Sequence, residues 1–189
     1  MSTSLLKKSL EQAPIVKKGS YSYVIHPITD GIPHIHPDLL KEVVDELTSL
    51  LCTVQPFDTI VTMEAMGIPL AAVLSLKLNI PFTIIRKRCY ELPDEYSVTQ
   101  ITGYSSSSLY INGIRAKESI VLVDDVLSTG GTLRAVLSSL QHMNVIVKGV
   151  YVAVDKGDAA KEISEAFNVP IHSLVHIRIE NGKVIFEDK

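Results

Sequence analysis

Between Pro37 and Leu51 the chain reads PDLLKEVVDELTSLL, with Leu39, Leu40, Val43, Val44, Leu47, Leu50 and Leu51 at i, i+3 and i, i+4 intervals. That spacing predicts a helix with one apolar face, and Pro37 suits its first position because a first turn leaves that amide unused. Thr59-Ile60-Val61-Thr62 then reads as a short strand. Ile68–Leu78 reads as a helix opening just after Gly67, and Pro81–Ile85 as a second strand. Ile120-Val121-Leu122-Val123 is a continuous apolar run of the kind buried on both faces of a sheet. After it come a helix over Thr132–Met143, a strand over Val145–Val154, a helix over Asp158–Phe167 and a strand over Ile171–Ile177. Strands alternating with helices predict an α/β fold, with a mainly parallel twisted sheet flanked by helices. Residues 88–113 break the pattern: they lack a buried period and contain Ser105-Ser106-Ser107-Ser108. A polar stretch of that length inside a compact domain is usually functional or mobile.

Length and charge narrow this picture. The chain has 189 residues, no internal repeat and no Pro/Gly-rich linker, so residues 1–189 read as a single domain. Its formal charge of −3 and pI near 6.1 argue against a general partner of nucleic acid or anionic membrane. Apolar runs such as Leu70–Leu74 and Val150–Val154 are far shorter than the roughly 20 residues a spanning helix needs. No apolar stretch of signal-peptide length precedes Glu11, and Cys52 and Cys89 read as free thiols in a reducing compartment. The expectation is a soluble, cytoplasmic protein.

The chemistry concentrates after the buried run, in Asp124-Asp125-Val126-Leu127-Ser128-Thr129-Gly130-Gly131-Thr132. In open α/β sheets the ligand crevice lies outside the carboxyl ends of the strands, where these residues are expected. Gly130 and Gly131 allow backbone amides to approach a ligand. Ser128, Thr129 and Thr132 add hydroxyls, and the next helix adds its positive end, which together make a cradle for a monophosphate. Two carboxylates beside such a cradle suit ribose hydroxyls or a hard cation such as Mg²⁺. A Walker-A loop is excluded because no Lys follows the glycines, and the G-x-G-x-x-G fingerprint is absent.

Val121 to Thr132 resembles the diphosphate-sugar motif of the type I phosphoribosyltransferases, a hydrophobic strand followed by two acidic residues and a Thr-Gly loop. Val61-Thr62-Met63-Glu64-Ala65-Met66-Gly67-Ile68-Pro69 resembles that family's diphosphate loop. Ile80–Arg88 with Leu92-Pro93 resembles the strand and basic patch of its adenine and xanthine branches. The whole chain, through Ile177–Val184, is most similar to the archaeal-type hypoxanthine/guanine enzymes. The resemblance implies transfer of a phosphoribosyl group from 5-phosphoribosyl 1-diphosphate to a purine base, with Mg²⁺ as cofactor. Ser128, Thr129, Gly130, Gly131 and Thr132 would hold the 5′-phosphate. Asp124 and Asp125 would serve as the catalytic pair on the ribose hydroxyls, with Mg²⁺ held mainly through substrate. Glu64, Ala65, Met66, Gly67, Arg86, Lys87 and Arg88 would surround the diphosphate. Lys156, a donor only, would read the exocyclic oxygen of a 6-oxopurine, beside Val24 and Ile25. Residues 1–36 would belong to a hood over the base, and 88–113 would be a flexible loop to which Ser97, Thr99, Gln100 and Tyr104 contribute hydrogen bonds. The family also implies a homodimer.

Two departures limit the carry-over. Ser128 stands where animal-type enzymes have an Asp, and Met66 where the adenine branch commonly has an Arg. Adenine and xanthine stay open as bases, although Lys156 disfavours adenine. A regulator on the same fold would carry an added winged-helix domain, for which the stretch before Pro37 is short. Elsewhere, His34-Ile35-His36 has i, i+2 metal spacing, but its flanking prolines favour a turn. His172 and His176 have no nucleophile context.

Overall fold

A computed structural model describes residues 3–19, 21–102 and 105–187, without the side chains of Lys18 and of residues 99–102 and 105–107. The chain runs α1 (Ser4–Glu11), β1 (Ile15–Lys18), β2 (Tyr21–Val24), α2 (Pro27–Asp30), α3 (Pro37–Cys52), β3 (Thr59–Met63), α4 (Gly67–Leu78) and β4 (Phe82–Ile85). It continues as β5 (Tyr96–Thr102), β6 (Ser105–Ile111), β7 (Ser119–Leu127), α5 (Gly131–His142), β8 (Ile146–Lys156), α6 (Ala159–Phe167), β9 (Ile171–Glu180) and β10 (Lys183–Glu187). Six strands form one sheet in the order β10-β9-β8-β7-β3-β4. All its neighbours are parallel except β10, which returns antiparallel to β9. β1 pairs with β2, and β5 with β6, as separate antiparallel hairpins.

Each sheet face has its own core. On one face Leu6, Leu10, Leu39, Val43, Val44, Leu47 and Leu51 pack with Leu70, Ala71 and Leu74 against Val121, Val123 and Tyr151. On the other, Leu133, Val136, Leu137, Leu140 and Ile163 cover Ile120, Leu122, Val150 and Val152, and the hairpin residues Val98, Leu109 and Ile111 join them. β7 lies between β3 and β8 with helices on both faces, which explains why its first half is apolar without alternation.

Four features depart from the sequence pattern. β7 does not stop at Val123 but runs to Leu127, because Val126 and Leu127 still pair with Val154 and Asp155 of β8. The carboxylate pair is therefore inside the strand. Residues 88–113 are not irregular throughout: β5 and β6 pair between Tyr96 and Ile111, and among the described side chains of the ribbon Val98, Leu109 and Ile111 are buried. α1 is fixed by a tertiary cap, Glu42 of α3 accepting from the Leu5 and Leu6 amides at 3.0 and 2.8 Å. β10 adds the edge strand.

The stretch after β2 is held by His26, which is fully buried. Its Nδ1 accepts from the Ile28 amide at 3.2 Å, so Nε2 carries the hydrogen and donates to Ser9 Oγ at 2.8 Å. Ser9 in turn donates to the Leu6 carbonyl. Burial lowers this imidazole from 6.5 to about 4, against the pull of Asp30. Between those values the unfolded chain binds a proton that the folded chain refuses, so stability is complete above pH 6.5 and declines toward pH 4. The loss attributable to this one group is about 3 kcal/mol. Urea denaturation across pH 4 to 7 (a range set by the His26 values) checks this. His26→Asn, which keeps a capping acceptor, is expected to flatten that part of the profile; an unchanged slope contradicts the assignment.

Candidate functional site

Asp124 and Asp125 sit where β7 emerges from the core. Asp125 is buried, Asp124 is half-buried, and the Asp125 amide donates to Asp124 Oδ1 at 3.1 Å. Among the described residues neither carboxylate forms an ion pair with a Lys or Arg. Burial raises both above the ordinary carboxylate range. The charge of Asp125 raises Asp124 further, and that of Asp30 raises Asp125. Two buried acids without a counter-ion favour a cationic or hydroxyl-bearing occupant.

What sits under the pair is specific. Gly67, at the start of α4, faces Asp124 so closely that a Cβ there would lie 2.6 Å from Asp124 Oδ1 and 2.1 Å from Thr62 Oγ1. Thr62 is fully buried, and its hydroxyl makes no hydrogen bond. β3, α4 and β7 thus meet with no room for a side chain at Gly67. The rest of the predicted diphosphate loop leads into this contact: the Glu64–Ala65 peptide is cis, Ala65 is exposed, and Met66 precedes the helix.

After the pair, Ser128 and Thr129 lead into α5, which begins at Gly131 with Gly130 as its N-cap and no capping side chain. Its first amides are therefore available to an anion. A cleft of about 230 Å³ is walled by Glu64, Asp124, Asp125 and the whole run Ser128–Thr132. Arg86, Lys87 and Arg88 do not line it. Glu64 links the two regions, accepting from Arg86 Nε at 2.7 Å and from the Lys87 amide at 3.3 Å. That pairing lowers the Glu64 carboxyl. Arg86 is held by Glu64, Arg88 lies over the Tyr90 ring, and Lys87 is exposed.

A second cleft, of about 400 Å³, contains Lys156 at the end of β8, with Tyr21, Ser22, Ile177 and Ile179 among its walls. The Lys156 ammonium donates to the Ser22 carbonyl and lies 4.0 Å from the centre of the Tyr21 ring. Val24 and Ile25 are half-buried and do not line this cleft, Val24 packing instead on the core. Tyr21 connects the two clefts, its hydroxyl lying 2.5 Å from Ser128 Oγ while its ring borders Lys156. Sequence reasoning passed over Tyr21, Ile177 and Ile179. The signal for the last two was the alternation Val175, Ile177, Ile179 running to the open end of β9. Tyr104 lies outside the described residues, as do the side chains of Thr99 and Gln100, and Ser97 is exposed.

Three further histidines have structural partners. His36 accepts from the Asp38 amide at the start of α3. His176 is buried between Asp155 and Glu187 at 3.1 and 2.9 Å, and His172 stacks on Tyr151. Among the described residues no group of three or more His, Cys, Asp or Glu side chains is arranged to hold a metal ion by itself.

Gly67→Ala tests the contact beneath the carboxylates. A methyl group at that spot must push Thr62 or Asp124 aside, and overpacking of this kind costs about 1–3 kcal/mol. The expected result is a lowered melting midpoint together with a loss of turnover greater than the loss of folded protein. Wild-type stability and turnover would contradict the packing described.

A family model described as the phosphoribosyl transferase domain matches residues 38–178. The hypoxanthine/guanine phosphoribosyltransferase of Methanothermobacter thermautotrophicus is 47% identical over 184 residues, covering 97% of this chain and 94% of the relative. That of Methanohalophilus mahii is 48% identical, covering 97% and 96%, and that of Aciduliprofundum boonei 46%, covering 95% and 97%. Among solved structures, the adenine phosphoribosyltransferase of Thermoanaerobacter pseudethanolicus superposes with a TM-score of 0.74 at 22% identity, covering 93% of this chain and 99% of that one. The Saccharomyces cerevisiae enzyme of that name gives 0.75 at 22%, covering 91% and 97%, and at such identity the likeness is one of fold. With its core strands, glycine loop and paired acids in this arrangement, the chain belongs to the phosphoribosyltransferase family.

Proposed function

We propose that this chain transfers the 5-phosphoribosyl group of 5-phosphoribosyl 1-diphosphate to a 6-oxopurine, hypoxanthine or guanine, releasing the nucleotide and diphosphate. The names of the relatives support the base class. The observation that carries the chemistry is the adjacent Asp124–Asp125 pair, Asp125 buried and Asp124 half-buried, with no cationic side-chain partner among the described residues, set against the cradle at the start of α5.

In this reading the hydroxyls of Ser128, Thr129 and Thr132 and the first amides of α5 hold the 5′-phosphate. Asp124 and Asp125 accept from the ribose 2′- and 3′-hydroxyls. Their negative charge also favours the cationic character that develops at the anomeric carbon as diphosphate leaves. Glu64 holds Arg86 and the Lys87 amide near the diphosphate end, and Lys87 and Arg88 add positive charge there. The base lies between Ile177, Ile179 and the Tyr21 ring, with the Lys156 ammonium donating to its exocyclic oxygen. The β5–β6 hairpin, tied to the end of β4 by backbone bonds between Arg86 and Tyr110, closes over the centre and excludes water.

Mg²⁺ fits these residues, because two oxygen-donor carboxylates raised by burial and short of a counter-ion suit a hard dication held partly by substrate. When bound, it offsets the charge of the diphosphate leaving group. The same reading includes a homodimer in the cytoplasm. Unpaired thiols at Cys52 and Cys89 agree with a reducing compartment, and the exposed Leu76 of α4 offers apolar surface for pairing.

Nucleotide formation from a panel of purine bases with 5-phosphoribosyl 1-diphosphate and Mg²⁺ tests the proposal. Turnover of hypoxanthine or guanine is expected; reaction with adenine alone contradicts the role of Lys156, and no turnover with any purine contradicts the activity. Asp124→Asn with Asp125→Asn is expected to lower kcat about 100- to 1,000-fold. The same change should leave the fold intact and raise the melting midpoint at neutral pH, since it removes two acids whose ionisation burial disfavours. Retained turnover would refute the assignment.

A further inference from the structure

We infer that Tyr21 is a positioning residue that couples occupancy of the phosphate cradle to binding of the base. This rests on the reading of the two clefts given above. Three contacts lead to it. The Tyr21 hydroxyl is 2.5 Å from Ser128 Oγ, the first side chain of the phosphate loop. The Tyr21 ring borders the cleft that contains Lys156, and the Lys156 ammonium lies 4.0 Å from its centre. The same ammonium donates to the Ser22 carbonyl, so the β1–β2 hairpin is fastened at its β2 strand from both clefts.

The donor arithmetic gives the contact a direction. A serine hydroxyl has one hydrogen and two lone pairs, and a phenol can both donate and accept. With the phosphate oxygens acceptors only, Ser128 must spend its hydrogen on the phosphate, and Tyr21 then donates to Ser128 Oγ. Each bond in such a chain polarises the next, so phosphate at Ser128 strengthens the hold on Tyr21. A firmer Tyr21 fixes the wall of the base cleft and the hairpin that carries Ser22. By reciprocity, base in its cleft tightens the phosphate cradle by the same factor. The coupling needs no movement of the sheet, only a hairpin whose link to Ser128 runs through the Tyr21 hydroxyl.

Calorimetric titration of hypoxanthine into the full-length protein, with and without saturating ribose 5-phosphate and Mg²⁺, tests this. Wild type is expected to bind hypoxanthine at least about fivefold more tightly with ribose 5-phosphate present. Tyr21→Phe keeps the ring over Lys156 and removes only the hydroxyl. It is expected to bring that ratio to within twofold of unity, and Ser128→Ala to do the same, with no further change in the double variant. A merely structural role for Tyr21 would weaken both titrations equally and leave the ratio intact, which overturns the inference. Wild-type binding of hypoxanthine that ribose 5-phosphate does not alter overturns the coupling alone. Absence of hypoxanthine binding under either condition overturns the 6-oxopurine reading, and the coupling with it.

Discussion

The site depends on one unfavourable arrangement: two adjacent carboxylates withdrawn from water at the end of a central strand, with no side-chain cation among the described residues to offset them. Folding alone gains nothing from it, since burial raises both carboxyls and so favours the neutral form. The arrangement persists because everything around it is over-determined. β7 continues to pair with β8 as far as Leu127, and both faces of the sheet are covered, which holds the last residues of β7 in place. Gly67 brings the start of α4 directly against Asp124. A bound sugar and its metal ion would supply the compensating groups that the fold withholds.

Electrostatics on either side of the pair is divided by location. Glu64 is exposed enough to pair with Arg86 and is lowered by it, whereas the aspartates have no such partner and are raised. The formal charge of −3 thus hides an uneven distribution, with Glu64 paired to Arg86 and the two aspartates, among the described residues, without a cationic partner. The Tyr21 hydroxyl lies against Ser128 Oγ while its ring borders the Lys156 cleft, so the N-terminal hairpin reaches both clefts.

The central sheet was legible because its strands and helices carry strong, repeated apolar patterns. α3 spans Pro37–Cys52 against an expected Pro37–Leu51, and α6 spans Ala159–Phe167 against Asp158–Phe167. The acidic pair and glycine loop stood out because Asp-Asp, Ser-Thr and Gly-Gly-Thr follow one another directly after a buried strand, and the structure brings them around one cleft. What was not legible depends on partners distant in sequence. α1 needs Glu42 for its cap, and β7 continues past Val123 only because β8 is there to pair with it. The β5–β6 ribbon is polar in sequence, with Ser105-Ser106-Ser107-Ser108 in β6, and its pairing comes from strand partners rather than from an apolar period. β10 had a local signal, the Asn181-Gly182 turn with positive φ at both residues, which is the ordinary two-residue hairpin chemistry. Tyr21 had none, because its contact with Ser128 joins positions more than a hundred residues apart.

The central claim is that the Asp124–Asp125 pair is held in an unfavourable ionisation state that substrate relieves. Side-chain carboxyl ¹³C NMR, titrated against pH with and without Mg²⁺ and 5-phosphoribosyl 1-diphosphate, reads this directly. The account predicts that both carboxyls titrate above the ordinary aspartate range in the ligand-free protein and shift downward when metal and sugar diphosphate are bound. Ordinary aspartate titration in the ligand-free protein, or no response to the ligands, would contradict it.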